Sequence, residues 1–278
     1  MIGIIGQGFV GNAIYQKFKN YFNVLTYDLD ESKSNDSKEN VIHQQYVFLC
    51  LPTPMNTDGS CNVDIIEREL ENIDLIADNH EVVKTVVIKS TISPGTTEKW
   101  NKKYEALDIV FNPEFLTEAN AVEDFNNQNR IILGGPRPAT TELRRLYSKV
   151  FPKAHIIKTD STHAEMVKYL TNSFLATKVS FANEINEICE YLNIDYDKVI
   201  EYAKHDDRLG YSHWNVPGPD GDVGYGGHCF PKDVKALTHV AMELESDIKP
   251  IMLQATDAKN NLIRKNKDWL DQKGRAVV

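Results

Sequence analysis

The chain has 278 residues, of which 41% are hydrophobic and 26% are charged, as is typical of a folded globular protein with one large or two modest domains. Its formal net charge of −9 argues against a broad surface for nucleic acids or anionic membranes, and we expect neither as a partner. No apolar run approaches the roughly 18 residues of a membrane helix. The four cysteines lack the spacing of a structural zinc site or a disulfide framework, so we predict no metal and a cytoplasmic protein.

The first predicted elements form a dinucleotide-binding turn. Met1–Ile5 is a short apolar strand, the GxGxxG sequence Gly6–Gly11 follows, and the helix-compatible segment Asn12–Tyr21 leads to a second strand, Asn23–Tyr27. In such a turn the glycines admit a pyrophosphate to the helix N-terminus, and the acid after the second strand, Asp28, accepts from the adenosine ribose. An acid there disfavours a 2′-phosphate, so we predict NAD rather than NADP. The alternative is a glycine-rich turn without a ligand.

Further short, β-branched runs alternate with polar or helical segments. The predicted strands are Tyr46–Leu51, Thr85–Lys89, Asp108–Phe111, Arg130–Leu133 and His155–Lys158, with a helix over Val63–Ala77 and a polar loop or frayed helix over 29–40. This alternation predicts an α/β fold in which residues 1–158 form a Rossmann domain with a doubly wound parallel sheet that binds NAD. Ligands of such a sheet bind at the carboxyl ends of its strands, where Thr53, Thr91 and Asn112-Pro113-Glu114 lie.

The pattern becomes helical at Asp160. The sequence Thr162-x-x-Glu165 is typical of a capping box, and a helical pattern then continues to about Leu192 without Gly or Pro. Such a helix is roughly 45 Å long, which suits a domain-spanning or dimer-forming role. Further helices are predicted over Asp195–Lys204, Lys232–Glu243 and Pro250–Leu270. We therefore predict an all-helical second domain over 159–278 and a homodimer through the long helix.

The segment Gly224–Asp233 places three glycines just ahead of a cysteine and Pro-Lys-Asp just after it. The glycines allow the backbone to approach a ligand closely. Lys232 and Asp233 lie close enough to bias the Cys229 thiol toward thiolate and to handle protons. The alternative is a glycine turn before a helix, with Cys229 as a small buried hydrophobe.

In order along the chain, these features resemble the UDP-glucose 6-dehydrogenase family, within the wider UDP-glucose/GDP-mannose dehydrogenases. The matching motifs are Gly6–Gly11, Leu51-Pro52-Thr53-Pro54, Lys89-Ser90-Thr91, Asn112-Pro113-Glu114-Phe115-Leu116-Thr117-Glu118, Glu165-x-x-Lys168-Tyr169-x-x-Asn172, Asp207-Arg208-Leu209-Gly210 and Gly224–Asp233. The resemblance implies a four-electron oxidation of a nucleotide sugar's C6 alcohol to a carboxylate with NAD. The expected reaction is UDP-glucose to UDP-glucuronate, for polysaccharide biosynthesis.

The resemblance also implies roles for individual residues. Cys229 would trap an aldehyde as a thiohemiacetal, which is oxidised to a thioester and then hydrolysed. Lys168 and Asn172, which share a helix face, would stabilise the oxyanion, although lysine and asparagine on a long helix are more often solvated. Glu118, Thr91 and Asp233 would position water or relay protons, and which of them is the base stays open.

Two further sets of residues follow from the resemblance alone. The residues implied at the cofactor are Gly6, Gly8, Phe9, Val10, Gly11, Asp28, Lys33, Thr53, Thr91, Glu118 and Lys232. The residues implied at the nucleotide sugar are Glu114, Phe115, Leu116, Lys168, Asn172, Arg208 and Gly226. In relatives the arginine of the Arg208 loop reaches a neighbouring subunit's substrate; the alternative is an ordinary surface charge.

Three features depart from the family pattern. Relatives continue into a second Rossmann-like domain that binds the nucleotide, so we expect either a naturally short form that lacks this domain or a fragment. The segment between Asp28 and Tyr46 is shorter than usual. His228 replaces a small hydroxyl residue; we expect it to face solvent, the alternative being that its charge lowers the pKa of Cys229.

Other functions stay open at this point. The same chemistry on GDP-mannose or a UDP-N-acetylhexosamine is one alternative, and a non-catalytic module that binds NAD or a nucleotide sugar is another. The segment around Cys229 argues against a two-electron β-hydroxyacid dehydrogenase.

Overall fold

The computed structural model describes residues 1–79, 83–244 and 247–278, and it divides the chain into two compact units. The first unit comprises Met1–Thr53 and Val63–Lys168, and the second comprises Pro54–Asn62 and Tyr169–Val278. The domain boundary after residue 158 stays a prediction. Among the described residues, no helix combines the length and the apolar character that crossing a membrane requires.

A seven-stranded sheet organises the described part of the first unit. Its strands are β1 (Ile2–Ile5), β2 (Val24–Tyr27), β3 (Tyr46–Leu49), β4 (Lys84–Ile88), β5 (Leu107–Phe111), β6 (Arg130–Gly134) and β7 (His155–Thr159). The spatial order is β2-β1-β3-β4-β5-β6-β7, and every neighbouring pair is parallel except β5 and β6. The predicted α/β fold is confirmed. The predicted parallel sheet has one antiparallel step, where Phe111 of β5 pairs with Gly134 of β6.

Helices connect these strands. They are α1 (Phe9–Phe18), α2 (Lys38–Ile42), α3 (Asp64–Asn79), α4 (Thr96–Lys103), α5 (Ala121–Asn126) and α6 (Arg137–Val150), with short 3₁₀ turns at Glu31–Lys33 and Glu118–Asn120. The sequence pattern predicted none of α4, α5 and α6. It placed a loop or frayed helix over 29–40, where the structure has a 3₁₀ turn and the start of α2.

Helices pack on both faces of the sheet. Successive side chains of a strand point to opposite faces, so one strand contributes to two separate clusters. In β3, Phe48 packs in a cluster with residues of α1 and α6, such as Phe18 and Leu143. Its neighbours Val47 and Leu49 pack in a second cluster with residues of α3 and α4. The inner strands β1, β3, β4 and β5 are therefore buried along almost their whole length rather than at alternate positions, as is typical of parallel sheets covered on both faces, whereas the edge strand β7 is largely exposed.

The long helix α7 (Ser161–Leu192) ends where the sequence predicted, but it begins with a different cap. Asp160 Oδ1 accepts a hydrogen bond of 2.9 Å from the His163 amide. Glu165 instead accepts from the amides of Gly95 at 2.6 Å and Thr97 at 2.9 Å. The predicted capping box is therefore wrong, because the Glu165 carboxylate satisfies the first turn of α4 rather than that of its own helix.

The second unit contains most of α7 together with α8 (Tyr196–Ala203), α9 (Phe230–Glu243) and α10 (Ile251–Ile263). Short 3₁₀ turns lie at Asp207–Leu209 and Asp268–Asp271. The predicted helix over Pro250–Leu270 is too long, since α10 ends at Ile263 and its C-cap residue Arg264 has an extended backbone. Two small apolar clusters stabilise this unit; one contains Cys189 and Trp214, and the other contains Tyr225 and Val234.

Candidate active site

The glycine turn between β1 and α1 has the geometry of an anion site. Gly6 has a φ of 92°, and a Cβ on Gly11 would lie 1.9 Å from the Gly6 carbonyl oxygen, so neither position tolerates a side chain. Gly8 is the N-cap of α1, forms no side-chain cap bond and has open space where a Cβ would point. Phe9 and Val10 open the helix and pack against the core. An uncapped helix N-terminus beside an open glycine fits the pyrophosphate of a dinucleotide.

Asp28 is tied to this turn. Its Oδ2 accepts from the Gln7 amide at 2.6 Å, and its Oδ1 accepts from the Asp30 amide at 2.9 Å. Lys33 is half exposed and forms an ion pair of 3.2 Å with Asp30. A carboxylate has about four lone-pair sites, so Asp28 retains the capacity to accept from a ribose hydroxyl. The roles of Asp28 and Lys33 stay predictions.

Thr53 and Thr91 lie together beyond the carboxyl ends of β3 and β4. Both are buried, and the Thr53 hydroxyl donates to the Thr91 carbonyl oxygen over 2.8 Å. Ser90 reinforces this junction, because the Leu51 amide donates to its hydroxyl at 3.1 Å. The sequence motifs at these two strand ends are therefore joined by direct contacts.

Glu114 and Lys168 form a buried ion pair in the first unit. The Lys168 ammonium lies 3.0 Å from Glu114 Oε1 and 2.8 Å from the Glu114 carbonyl oxygen. The Leu116 amide donates to Glu114 Oε2 at 2.7 Å. Burial raises the pKa of Glu114, but the Lys168 charge and the Leu116 amide outweigh it and leave the pKa below its ordinary value. The Phe115 ring receives the Arg130 guanidinium at 4.0 Å and the Lys168 ammonium at 5.6 Å from its centroid.

Lys89 is a second buried cation near Glu114, and the sequence predicted no site role for it. The Lys89 ammonium donates to Asn112 Oδ1 at 2.8 Å, and the Tyr147 hydroxyl donates to the same oxygen. Burial lowers the pKa of Lys89 to about 8, while Cys50 and Glu114 oppose the shift. Lys89 and Asn112 belong to two of the family motifs, but they are 23 residues apart and lie just beyond the ends of β4 and β5, so sequence order alone does not reveal their contact.

The cysteine segment assembles a polar cluster in the second unit. Cys229 is the N-cap residue of α9, and Asp233 lies one turn later. Asp233 is 1% exposed; it accepts from the Lys232 ammonium at 2.7 Å and from Asn172 Nδ2 at 2.6 Å. Burial opposes the charge of Lys232, yet Asp233 and the thiols of Cys61 and Cys229 raise its pKa above the ordinary value. The predicted Asn172, Lys232 and Asp233 thus meet directly, and neither Lys168 nor Asn172 is a solvated helix residue.

The remaining predicted residues have varied surroundings. Glu118 is exposed in its 3₁₀ turn, and Arg208 pairs with Asp206 on the surface. The expectation of a solvent-facing His228 is wrong, since its exposed fraction is 9%. A Cβ on Gly226 would lie 2.3 Å from both Arg264 Nη2 and Asp268 Oδ1, so protein atoms occupy the space beside this glycine. No cluster of metal-binding side chains is found in the described part of the chain.

Comparison with known proteins identifies the family of this chain. The model for the NAD binding domain of the UDP-glucose/GDP-mannose dehydrogenase family matches residues 32–151, and the model for its central domain matches 162–262. The UDP-glucose 6-dehydrogenase AglM of Haloferax volcanii is 30% identical over 91% of this chain and 68% of its own length. The chain belongs to the UDP-glucose/GDP-mannose dehydrogenase family.

Other members of the family differ in substrate. A GDP-mannose 6-dehydrogenase of Pseudomonas syringae pv. tomato is 33% identical over 79% of this chain, which spans 50% of that relative's length. The solved UDP-glucose dehydrogenase of Pyrobaculum islandicum superimposes with a TM-score of 0.84 at 26% identity, over 94% of this chain and 68% of that chain. The chain therefore spans between half and about two thirds of these UDP-glucose/GDP-mannose dehydrogenases.

Membership in this dehydrogenase family confirms several predictions. The family is one of NAD-dependent oxidoreductases, and its NAD binding domain model covers most of the first unit, so NAD is the cofactor. The open glycine turn at Gly8 fits that cofactor independently. The individual residue roles stay predictions.

Proposed function

We propose that this chain catalyses the NAD-dependent four-electron oxidation of a nucleotide sugar's C6 alcohol to a carboxylate, with UDP-glucose as substrate and UDP-glucuronate as product. Family membership supports the reaction class. The observation that carries the proposal is Cys229 at the N-cap of α9, followed within one turn by the buried Lys232–Asp233 pair. Two-electron alcohol oxidation needs no cysteine nucleophile, whereas trapping an aldehyde for a second oxidation does.

The reaction proceeds through covalent intermediates on Cys229. A base removes the C6 hydroxyl proton as hydride leaves C6, which gives an aldehyde. The Cys229 thiolate adds to the aldehyde carbon, and the resulting thiohemiacetal loses a second hydride to become a thioester. Water then cleaves the carbon–sulfur bond, which releases the carboxylate and restores the thiol. NAD would supply the hydride acceptor, with one molecule of NAD⁺ needed for each of the two oxidations.

The surroundings of Cys229 favour its thiolate. The thiol lies at the N-terminus of a 14-residue helix, where the helix dipole attracts a negative charge. The Lys232 ammonium interacts electrostatically with the same thiol and is held in place by Asp233. We therefore assign Lys232 a supporting role for the nucleophile in addition to its predicted contact with NAD.

Lys168 and Asn172 are proposed to stabilise the oxyanion of the tetrahedral intermediates. Both side chains are oriented by a carboxylate: Lys168 by Glu114 and Asn172 by Asp233. An amide nitrogen carries two protons, so Asn172 is able to donate to Asp233 and to one further acceptor. Donors that are already oriented lose little freedom when the negative charge develops.

The base stays open among Glu118, Asp233 and a water held by Thr91. Both oxygens of Asp233 already accept hydrogen bonds, Oδ1 from the Lys232 ammonium and Oδ2 from Asn172 Nδ2. These contacts favour a structural role for Asp233, and they leave Glu118 or a Thr91-bound water as the better candidate.

UDP-glucose is proposed as the substrate by analogy with the relatives of this chain. The Haloferax relative is named a UDP-glucose 6-dehydrogenase and the Pseudomonas relative a GDP-mannose 6-dehydrogenase, so both substrates deserve a direct comparison. We expect kcat/KM to be highest for UDP-glucose when it is measured beside GDP-mannose and a UDP-N-acetylhexosamine. A higher kcat/KM for another nucleotide sugar would identify that sugar as the substrate of the same reaction.

The decisive measurement is the number of NADH molecules formed per UDP-glucose consumed. We expect two for the wild type. Cys229→Ser should lose at least about a thousandfold in turnover of the second oxidation, because a hydroxyl is a far weaker nucleophile than a thiolate at neutral pH. Cys189→Ala, which alters a buried cysteine of an apolar cluster, is the control and should still give two.

Two results would contradict this proposal. One NADH per sugar from the wild type would indicate a two-electron enzyme. NAD binding without NADH from any of the three sugars would favour a binding module.

The assembly and cellular role are proposed on separate grounds. Four apolar residues of α7 follow one another at helical spacing and are 48% to 66% exposed: Leu170, Phe174, Phe181 and Ile188. Such a stripe is typical of a helix that pairs with another protein surface, which supports a homodimer through α7. We further propose a cytoplasmic location and a role in polysaccharide biosynthesis.

A further inference from the structure

A buried cluster at the end of α10 supports the glycine loop that precedes Cys229. Its members are Asn260, Arg264 and Asp268, and the first two are 1% and 3% exposed. All three lie in the second unit with the loop itself. None of them belongs to the motifs that the sequence analysis quoted.

Arg264 is the centre of this cluster. Its Nη2 donates to Asp220 Oδ2 at 2.7 Å and to Asp268 Oδ1 at 3.2 Å, and its Nε donates to the Asn266 carbonyl oxygen at 2.8 Å. The guanidinium side chain is 2% exposed, whereas the two carboxylate side chains are partly exposed. Burying such a charge is costly unless it is paired and hydrogen-bonded, and here both conditions are met.

The cluster contacts three successive residues of the loop. Asn260 donates to the Tyr225 carbonyl oxygen at 2.9 Å and accepts from the Tyr225 amide at 2.8 Å. The Gly226 Cα faces the guanidinium so closely that a Cβ would lie 2.3 Å from Arg264 Nη2. The Gly227 amide donates to Asp268 Oδ2 at 2.9 Å. The loop is thus fixed up to two residues before Cys229.

We propose that Arg264 and Asp268 are positioning residues, which hold the Gly224–Gly227 loop so that the Cys229 thiol stays at the N-terminus of α9 beside Lys232. The proposal rests on the proposed function, in which Cys229 is the nucleophile. Gly224 and Gly227 have φ values of 72° and 69°, so the loop is built from a backbone with unusually wide conformational freedom. Without Arg264 the loop gains that freedom, and the thiol spends less time where an aldehyde would be attacked.

The proposal also gives Gly226 a new explanation. The family resemblance implies a place for this glycine at the nucleotide sugar. In the structure a guanidinium occupies the position of the missing side chain. Gly226→Ala should therefore displace Arg264 and reproduce the effect of changing Arg264 itself.

The test compares Arg264→Met and the milder Asp268→Asn with a matched control, Lys235→Met. The control breaks the 2.7 Å ion pair between Lys235 of α9 and Asp257 of α10, away from the loop. Two quantities are measured on folded protein at neutral pH: the rate of Cys229 alkylation by iodoacetamide, followed by peptide mass spectrometry, and the NADH formed per UDP-glucose.

For Arg264→Met we expect alkylation of Cys229 to slow at least about fivefold, because the thiol moves away from the positive charge of Lys232, which stabilises the reactive thiolate. The NADH yield should fall from two toward one per sugar, since an untrapped aldehyde escapes before the second oxidation. Asp268→Asn should show the same changes at smaller size, and Lys235→Met should match the wild type in both quantities. If Arg264→Met does not fold, Asp268→Asn decides the outcome.

The proposal is overturned if alkylation of Cys229 in the folded variants is as fast as or faster than in the wild type, even where their melting temperature falls. It is equally overturned if Lys235→Met slows alkylation as much as they do, because the effect would then be a general loss of stability. Failure of the proposed function is distinguishable: a wild type inactive on every nucleotide sugar still has a measurable Cys229 alkylation rate, and that rate alone then decides the positioning role.

Discussion

Glu165 is buried at the start of α7 and contacts three donors on one turn of another helix. The donors are the amides of Gly95 and Thr97 and the Thr97 hydroxyl, at 2.6 to 2.9 Å. The turn that it caps follows Thr91 along the chain, and Lys168 lies one turn after Glu165. A single carboxylate therefore links the Thr91 segment to the helix that carries Lys168.

This residue predicts a pH dependence of stability. Burial raises the pKa of Glu165 from 4.5 to about 7, and the hydrogen bonds from Thr97 and Gly95 only partly oppose the shift. Between these pH values the folded protein holds a proton that the unfolded chain has released, so this contribution is complete below a pH of about 4.5 and is lost as the pH rises through about 7. A shift of this size corresponds to about 3 kcal/mol.

Glu165→Gln removes the titration. We expect the free energy of unfolding in urea to change less between about pH 5 and pH 8 in this variant than in the wild type. Glu123→Gln, at an exposed position of α5, is the control and should follow the wild type. Parallel pH curves for the wild type and Glu165→Gln would contradict the assignment.

At the level of elements, α7 shows how a cap is decided by geometry rather than by a motif. The sequence predicted the cap at Thr162, within the capping box Thr162-x-x-Glu165. The structure gives the cap to Asp160, whose carboxylate accepts from the His163 amide and also lies near the His163 ring. Thr162 lies within the first turn of the helix.

This difference predicts effects of unequal size for two alanine substitutions. Asp160→Ala should lower the free energy of unfolding by about 1 kcal/mol, because an amide of the first turn loses its acceptor. Thr162→Ala should change it by less than about 0.5 kcal/mol, as is usual for a substitution that removes no cap. Urea unfolding of both variants at neutral pH measures the difference, and a larger effect at Thr162 would restore the capping box.

At the scale of the whole molecule, the exposed stripe on α7 is the feature that predicts assembly. Aromatic side chains such as Phe174 and Phe181 are rarely left more than half exposed on a long helix unless another surface covers them. The net charge of −9 opposes non-specific aggregation, so the exposed stripe is better explained by a defined apolar interface.

Charged substitutions on this stripe should separate the subunits. We expect size-exclusion chromatography with light scattering to give a dimer for the wild type and a monomer for the double variant Phe174→Glu and Phe181→Glu, since an unpaired carboxylate in an apolar interface is costly. Tyr202→Glu changes an exposed aromatic residue of α8 and is the control, which should stay dimeric. A monomeric wild type would contradict the proposed homodimer.

Much of the fold was predictable because its signals are local. The strand before Gly6, the glycine turn and the acid at Asp28 follow one another within one βαβ unit, and all of them lie where the sequence placed them. The end of α7 was predicted for a similar reason, since a long run without Gly or Pro specifies a helix through neighbouring residues. Three whole helices, α4, α5 and α6, were not predicted. Other failures were at element ends, where caps and buried side chains compete, as at Glu165 and at Arg264.

The sequence by itself determined the Rossmann turn, the alternation of strands and helices, the long helix and the motifs that identify the family. These properties depend on backbone torsions, apolar periodicity and residues close in the chain. The tertiary structure alone decided which backbone amides these carboxylates accept from: Glu165 reaches Gly95 across 70 positions, and Asp268 reaches Gly227 across 41. A polar group that loses water on folding must find a partner wherever packing brings one, so these contacts depend on the folded arrangement rather than on sequence order.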